Sequence, residues 1–166
     1  KLEGEQAIQA AGGAYLILRT SWVYSMRQGG FVTKVLQWAR EQEVLRVVDD
    51  QISGPTSARL LAEVTALLLA RAGEDPYRWF GERAGIYHCA GDGACSRYEW
   101  AQKILELDPN KDKQKVKRLE RAKSSEFPTP ATRPMVSVLS NDKIEQVFGL
   151  RIPRWQEALQ LAMDKR

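Results

Sequence analysis

The sequence supports an α/β fold, on three observations. Short apolar runs of strand length recur at Tyr15–Leu18, Leu45–Val48 and Ile86–Ala90, as in strands buried within a sheet. Between them lie longer segments whose apolar residues return at helical spacing. Glycine and proline punctuate the changes from one period to the other. Strands alternating with helices argue for α/β.

Taken in order, Leu2, Ala7, Ile8 and Ala11 can share one helical face, and Gly12-Gly13 stops that helix. Tyr15-Leu16-Ile17-Leu18 then forms a strand, expected to be buried on both faces. Its carboxyl end delivers Arg19, Thr20, Ser21 and Trp22 to the crevice where open α/β sheets bind ligands. Residues 25–30 read as a loop. Phe31, Val35, Leu36 and Ala39 mark a helix to about residue 42, and Leu45–Val48 a short strand. The turn-rich stretch Asp49–Pro55 leads to Thr56 or Ser57 as cap of a helix carrying Leu60, Val64, Leu67 and Leu68, closed by Gly73. Residues 74–85 form a loop with a short helical turn that packs Tyr77, Trp79 and Phe80. After the strand Ile86–Ala90, Ser96 with Glu99 makes a capping box for a helix through Leu107, ended by Pro109. Val116 and Leu119 suggest an edge strand within the basic run Lys111–Lys123. Pro128, Pro130 and Pro134 enforce an extended segment. Ser140 or Asn141 starts a helix with Ile144, Val147 and Phe148, ended by Gly149, and a last helix surrounds Trp155, Leu159 and Met163.

The 166 residues, 43% hydrophobic and 28% charged, suffice for one sizeable core. No apolar run reaches the length of a membrane span and no signal segment opens the chain, so a cytoplasmic protein is expected. Cys89 and Cys95 lack the spacing of a redox or zinc pair, and free thiols are expected. His88-Cys89 with Cys95 lacks metal-site spacing, so no bound zinc is expected. A net charge of +4 favours anionic partners, a nucleoside diphosphate as well as a nucleic acid. Asp112 and Glu120, and the absence of aromatics between the basic residues of Lys111–Lys123, favour a solvated face over a nucleic-acid surface. Gly91-Asp92-Gly93-Ala94-Cys95-Ser96 imitates a dinucleotide fingerprint, but Ser96 replaces the glycine needed for close helix packing and reads better as a cap.

Four motifs together carry a family resemblance spanning most of the chain. Lys1-Leu2-Glu3-Gly4-Glu5, Arg19-Thr20-Ser21-Trp22-Val23-Tyr24, Arg46–Gln51 followed by Pro55-Thr56, and Thr129-Pro130-Ala131-Thr132-Arg133-Pro134 with Leu139 and Lys143 are similar to segments of the dTDP-4-dehydrorhamnose reductases. These are a branch of the extended short-chain dehydrogenases. Ser25 and Gly30 depart from the family pattern. The opening residues, without Met or a cap, read as the cut end of a longer chain. The resemblance makes the chain the carboxy-terminal part of an NAD(P)-binding, Rossmann-like protein, with the amino-terminal Rossmann half absent. Residues 1–48 would be late Rossmann elements and residues 49–166 mainly a substrate-binding lobe with some sheet-completing elements.

The implied activity is reduction of the 4-keto group of dTDP-4-dehydrorhamnose to dTDP-rhamnose with NADPH or NADH in the intact parent, the fragment alone being inactive. Lys1 would be the lysine of a Tyr-x-x-x-Lys pair, lowering the tyrosine's pKa and holding the nicotinamide ribose, since a cation beside a phenol stabilises phenolate. Thr20 and Ser21 would sit beside the cofactor, and Trp22 beside the sugar. Gln51 would touch substrate or only shape its turn, as would Asp50 and Thr56. Arg133, on a proline-stiffened loop, would bind the diphosphate or tie the loop to the body. A dTDP-sugar is the expected partner, with a homodimer admitted and no metal, membrane or nucleic acid. Rival readings are another nucleotide-sugar reductase or epimerase, a non-catalytic regulatory subunit of the same fold, and a nucleic-acid module.

Overall fold

A computed structural model describes residues 1–27, 29–131 and 133–164. In chain order the elements are α1 (Leu2–Ala11), β1 (Leu16–Arg19), β2 (Val23–Tyr24), α2 (Phe31–Glu41), β3 (Val44–Val48), β4 (Ile52–Ser53) and β5 (Thr56–Ser57). They continue with α3 (Ala58–Arg71), α4 (Pro76–Gly81), β6 (Gly85–His88), β7 (Cys95–Ser96), α5 (Arg97–Leu107), β8 (Arg118–Ala122), α6 (Asp142–Phe148) and α7 (Trp155–Met163). The α/β reading holds, and most expected elements lie within a residue or two of their expected places.

Long-range strand pairs knit the order together. β1 runs parallel to β6, with Leu16 opposite Gly85 and Arg19 opposite His88, and the Cys89 amide continues the ladder to the Arg19 carbonyl at 2.8 Å. β3 runs parallel to β8, Val44 opposite Arg118 and Val48 opposite Ala122. The two-residue strands β2 and β5 pair parallel, and β4 pairs antiparallel with β7. None of these four short strands was expected, because two residues are too few to show a period. The edge strand expected near Val116 and Leu119 forms as β8 and contains only Leu119.

Two apolar clusters hold the chain. One joins Val32 and Val35 of α2, Trp100, Ala101 and Ile104 of α5, and Trp155, Leu159 and Met163 of α7 with Tyr24 and Val47. The other joins Val64 and Leu68 of α3, Tyr87 of β6, and Ile144 and Phe148 of α6. The indole N–H of Trp100 finds no partner among the described residues. An orphaned donor costs about 1–3 kcal/mol. Ring contacts with Trp22, Tyr24 and Phe31, at centroid distances of 5.6, 5.5 and 4.7 Å, contribute about 0.5–1.5 kcal/mol each and offset it.

Five expectations need correction. β1 is not buried on both faces: Ile17 alone is buried and its neighbours are half-covered, since β6 is its one strand partner among the described residues. No residue of α1 is buried, Leu2 being 60% exposed. Leu67 of α3 is exposed, because the face against the second cluster runs through Val64 and Leu68. Ser57 stands at the start of α3 without a side-chain cap, and Thr56 serves a different bond described below. Tyr77 of α4, expected to pack with Trp79 and Phe80, is exposed.

The capping box before α5 is formed: Ser96 Oγ accepts from the Glu99 amide at 3.1 Å, and Glu99 Oε2 accepts from the Ser96 amide at 2.7 Å. Asn141 opens α6 without capping it. Its amide instead pairs with both backbone groups of Ala90, at 2.8 and 3.1 Å, where β6 has run out. Both cysteines are buried and free, burial pushing the Cys89 thiol up to about 11 and that of Cys95 to about 12. The basic run is laced with carboxylates, Lys117 to Glu43 at 2.8 Å and Lys123 to Asp49 at 2.9 Å, as expected of a solvated face. Among the described residues no helix is long and apolar enough to cross a membrane.

Candidate functional site

The site is built on close backbone contacts. The Gly54-Pro55 turn, between β4 and β5, lies against Gly91 just after β6. A Cβ on Gly91 would stand 2.1 Å from the Pro55 carbonyl oxygen, and one on Gly54 would stand 2.5 Å from that of Gly91. Only hydrogen fits there. The Thr56 hydroxyl bridges the two strands of chain, accepting from the Gly91 amide at 3.1 Å and donating to the Gly54 carbonyl at 3.2 Å. That carbonyl also accepts from Ser21 Oγ at 2.7 Å, so both its lone pairs are engaged and the end of β1 is pinned to the turn.

Immediately after Ser21, Trp22 has φ of 40° and is the one non-glycine residue with positive φ among those described. A bulky residue there is strained, and such strain persists only where surrounding contacts over-determine it. Three contacts do so here. The Thr56 amide donates to the Trp22 carbonyl at 3.3 Å, and the indole stacks on Trp100 at 5.6 Å with planes 12° apart. On its other neighbour, Arg97, the guanidinium carbon lies 3.7 Å from the indole centroid.

Thr20, Ser21, Trp22, Gln51, Arg97, Arg133, Pro134, Ser137 and Leu139 line one cleft of about 300 Å³. Thus Thr20, Ser21, Trp22, Gln51 and Arg133 come together, although three separate stretches of sequence supply them. Lys1 does not join them: it is exposed at the start of α1 and lines no part of the cleft. Arg19, delivered by the same strand, turns away to Glu5 through bonds of 2.6, 3.0 and 3.1 Å. Gln51 Nε2 donates to Ser124 Oγ at 2.9 Å, and that hydroxyl donates to Asp50 at 2.6 Å. Asp50 also accepts from the Ser124 amide at 3.0 Å, and these bonds hold its carboxyl below the usual range. Asp50 therefore fixes the turn after β8, and Gln51 presents its carbonyl end free of that bond.

The proline segment is tied to β4 on both sides. The Ile52 amide donates to the Met135 carbonyl at 2.7 Å, and the Ser137 amide donates to the Ile52 carbonyl at 2.9 Å. Arg133 stands just before this anchor, exposed, with no carboxylate partner among the described residues. Thr132, part of the same motif, lies outside the described residues.

Arg97 is the residue that sequence reasoning missed. A signal was present: it is a cation in the first turn of α5, where the helix dipole disfavours positive charge. No described residue lining the cleft is acidic. The lining combines the Trp22 indole, hydroxyl groups and two arginines, suited to a ligand with an apolar ring system and a compact anion.

Comparison with known proteins agrees along the whole length. A family model described as the RmlD substrate binding domain matches residues 1–166. A dTDP-4-dehydrorhamnose reductase of Burkholderia thailandensis is 36% identical over 167 residues, covering 98% of this chain and 55% of that relative. The crystal structure of a dTDP-4-dehydrorhamnose reductase from Clostridium acetobutylicum superposes with a TM-score of 0.83 at 33% identity, over 99% of this chain and 53% of that one. The reductase of Bacillus anthracis, solved in complex with NADP, gives 0.80 at 29% identity, over 95% and 51%. The chain thus spans about half the length of the curated relatives it matches.

Proposed function

Because the chain belongs to the RmlD substrate-binding domain family, we propose that the intact protein reduces the 4-keto group of dTDP-4-dehydrorhamnose to dTDP-rhamnose using NADPH or NADH. One observation carries this beyond family membership: Thr20, Ser21, Trp22, Gln51 and Arg133 converge on one cleft, acid-free among the described residues. In this reading Trp22 is the wall against which the sugar ring lies, Gln51 contacts the substrate, and Arg133 holds the diphosphate. Residues 1–48 are the late elements of the cofactor domain, and residues 49–166 are mainly the substrate lobe. The setting is the cytoplasm, with a dTDP-sugar as partner.

The residues present fit one end of a nicotinamide cofactor. Thr20 and Ser21 stand at the carboxyl end of a parallel strand, where such ligands bind. The glycine loop after β6 is no pyrophosphate cradle, because Pro55 and Trp155 fill its open face. When bound, the cofactor supplies the hydride. Ser21 Oγ has its proton engaged at Gly54 and offers lone pairs to a ribose hydroxyl. Lys1, which stands apart from the cleft, is assigned by the motif resemblance alone, and in that role it would lower the pKa of a phenol and hold the ribose.

Nicotinamide oxidation by the intact protein tests the reading. Turnover of dTDP-4-dehydrorhamnose, well above that of other keto-sugar nucleotides, is expected, and its absence with either cofactor would refute it. Arg133→Ala gives a finer check. The diphosphate keeps its charge between ground and transition state, so removing its partner removes uniform binding. KM should rise roughly tenfold or more, with kcat nearly kept. A defect confined to kcat would remove Arg133 from the diphosphate.

A further inference from the structure

Three arginines are half-buried among the described residues: Arg40, Arg83 and Arg97. Two are satisfied in the usual way. Arg40 donates to the Leu36 carbonyl and to the buried Asp108 carboxylate at 3.1 Å. Arg83 donates to the Trp79 carbonyl at 3.0 Å and to Glu82 at 3.3 Å. The Arg97 guanidinium has no acceptor among the described residues. It has aromatic faces instead, Trp22 at 3.7 Å, Phe31 at 5.0 Å and Trp100 at 5.4 Å.

A guanidinium held by ring faces keeps its five N–H donors for other partners, and those of Arg97 make no hydrogen bond among the described residues. Arg97 also shares its cleft with Arg133, and no carboxylate lines it among the described residues. Burial, with a smaller push from Arg133, brings the Arg97 pKa down to about 10, so the group remains cationic at neutral pH. If this position served packing alone, an apolar side chain would fill the aromatic nest without bringing a poorly solvated charge beside a like charge. Two uncompensated guanidiniums in one cleft are relieved by a ligand that carries two negative charges close together.

We propose that Arg97 is a diphosphate-binding residue, its N–H donors and the fork of Arg133 closing on the two phosphates of a nucleotide sugar while its face holds Trp22 in place. This rests on the nucleotide-sugar reading above. It also couples affinity to geometry, since the cation that meets the phosphates is the one that stacks on the indole beside the sugar.

The test is calorimetric titration of the intact protein with inorganic pyrophosphate, thymidine and thymidine diphosphate. It compares wild type with Arg97→Gln, Arg97→Lys and Arg97→Met, the last keeping an unbranched chain on the aromatic faces should the Gln variant misfold. Arg97→Gln and Arg97→Met should weaken pyrophosphate and thymidine diphosphate by on the order of tenfold to a hundredfold and leave thymidine unchanged. Arg97→Lys should fall between, and the difference from wild type should shrink with added salt. Pyrophosphate affinity that is absent in wild type or unchanged in the neutral variants would overturn the proposal, as would equal losses for thymidine. The two readings fail separately. Arg97-dependent pyrophosphate binding without reductase turnover sinks the nucleotide-sugar reading and keeps the anion site, whereas turnover with Arg97-independent pyrophosphate binding does the reverse.

Discussion

Gly91→Ala is expected to destabilise the fold by about 3–5 kcal/mol, among the larger effects a single methyl group can have. The added Cβ would stand 2.1 Å from the Pro55 carbonyl oxygen and 3.1 Å from the Trp155 Cβ, so it meets backbone on one side and a buried side chain on the other. Neither can yield as a flexible side chain would. Moving Pro55 away would also break the bridge from the Gly91 amide to the Thr56 hydroxyl and disturb the carbonyl that holds Ser21. The damage would therefore reach the cleft as well as the core. Gly81→Ala is the control: it lies at the end of α4 with nothing within 4 Å of a Cβ, and should be neutral or stabilising by a few tenths of a kcal/mol. Chemical denaturation of both variants checks the pair, and a Gly91→Ala midpoint equal to wild type would show that the two turns do not touch as described.

Gly91 also shows what the sequence could and could not reveal. Its loop reads locally as an imitation of a dinucleotide fingerprint, and the Ser96–Glu99 box is legible because all its partners lie within three positions. The demand for glycine comes from Pro55, distant in sequence and invisible to any local pattern. The same division runs through the fold. Helices α2, α5 and α7 announce themselves through period, α5 through its capping box as well, whereas the pairing of Val23 with Thr56 or Ile52 with Ser96 has no periodic signature. The exposure of α1 was equally unreadable, since a row of apolar residues states that a face exists and not what covers it.

The candidate site divides likewise. Thr20, Ser21, Trp22, Gln51 and Arg133 were found through resemblance to family motifs, and the fold gathers them. Arg97 belongs to no such motif. Its meaning depends on Trp22, which lies far away in sequence and reaches it through a left-handed backbone that tryptophan rarely adopts. Lys1 is the opposite case, assigned by motif alone and standing apart from the cleft in the described chain.

Trp22→Ala should lower kcat of the intact enzyme by roughly a hundredfold, and lower it more than it raises KM, because small misplacements of a reacting group carry that order of cost. In the proposed reading Trp22 fixes the sugar's angle, and its indole is well held for that: it stacks on Trp100, lies against Arg97 and is tied through its carbonyl to the Thr56 amide. Removing the ring also loses stacking worth about 0.5–1.5 kcal/mol, so stability and turnover fall together and must be separated. The backbone offers the means. At φ of 40° alanine is strained while glycine is not. Trp22→Gly should therefore be more stable than Trp22→Ala by roughly 0.5–1 kcal/mol. Both lack the ring and should be equally slow, and Trp22→Phe, which keeps an aromatic face, should recover most of the turnover. Steady-state kinetics beside denaturation midpoints decides. Normal turnover in the alanine variant, or turnover that tracks stability from alanine to glycine, would make Trp22 a packing residue and return the ligand wall to other side chains of the cleft.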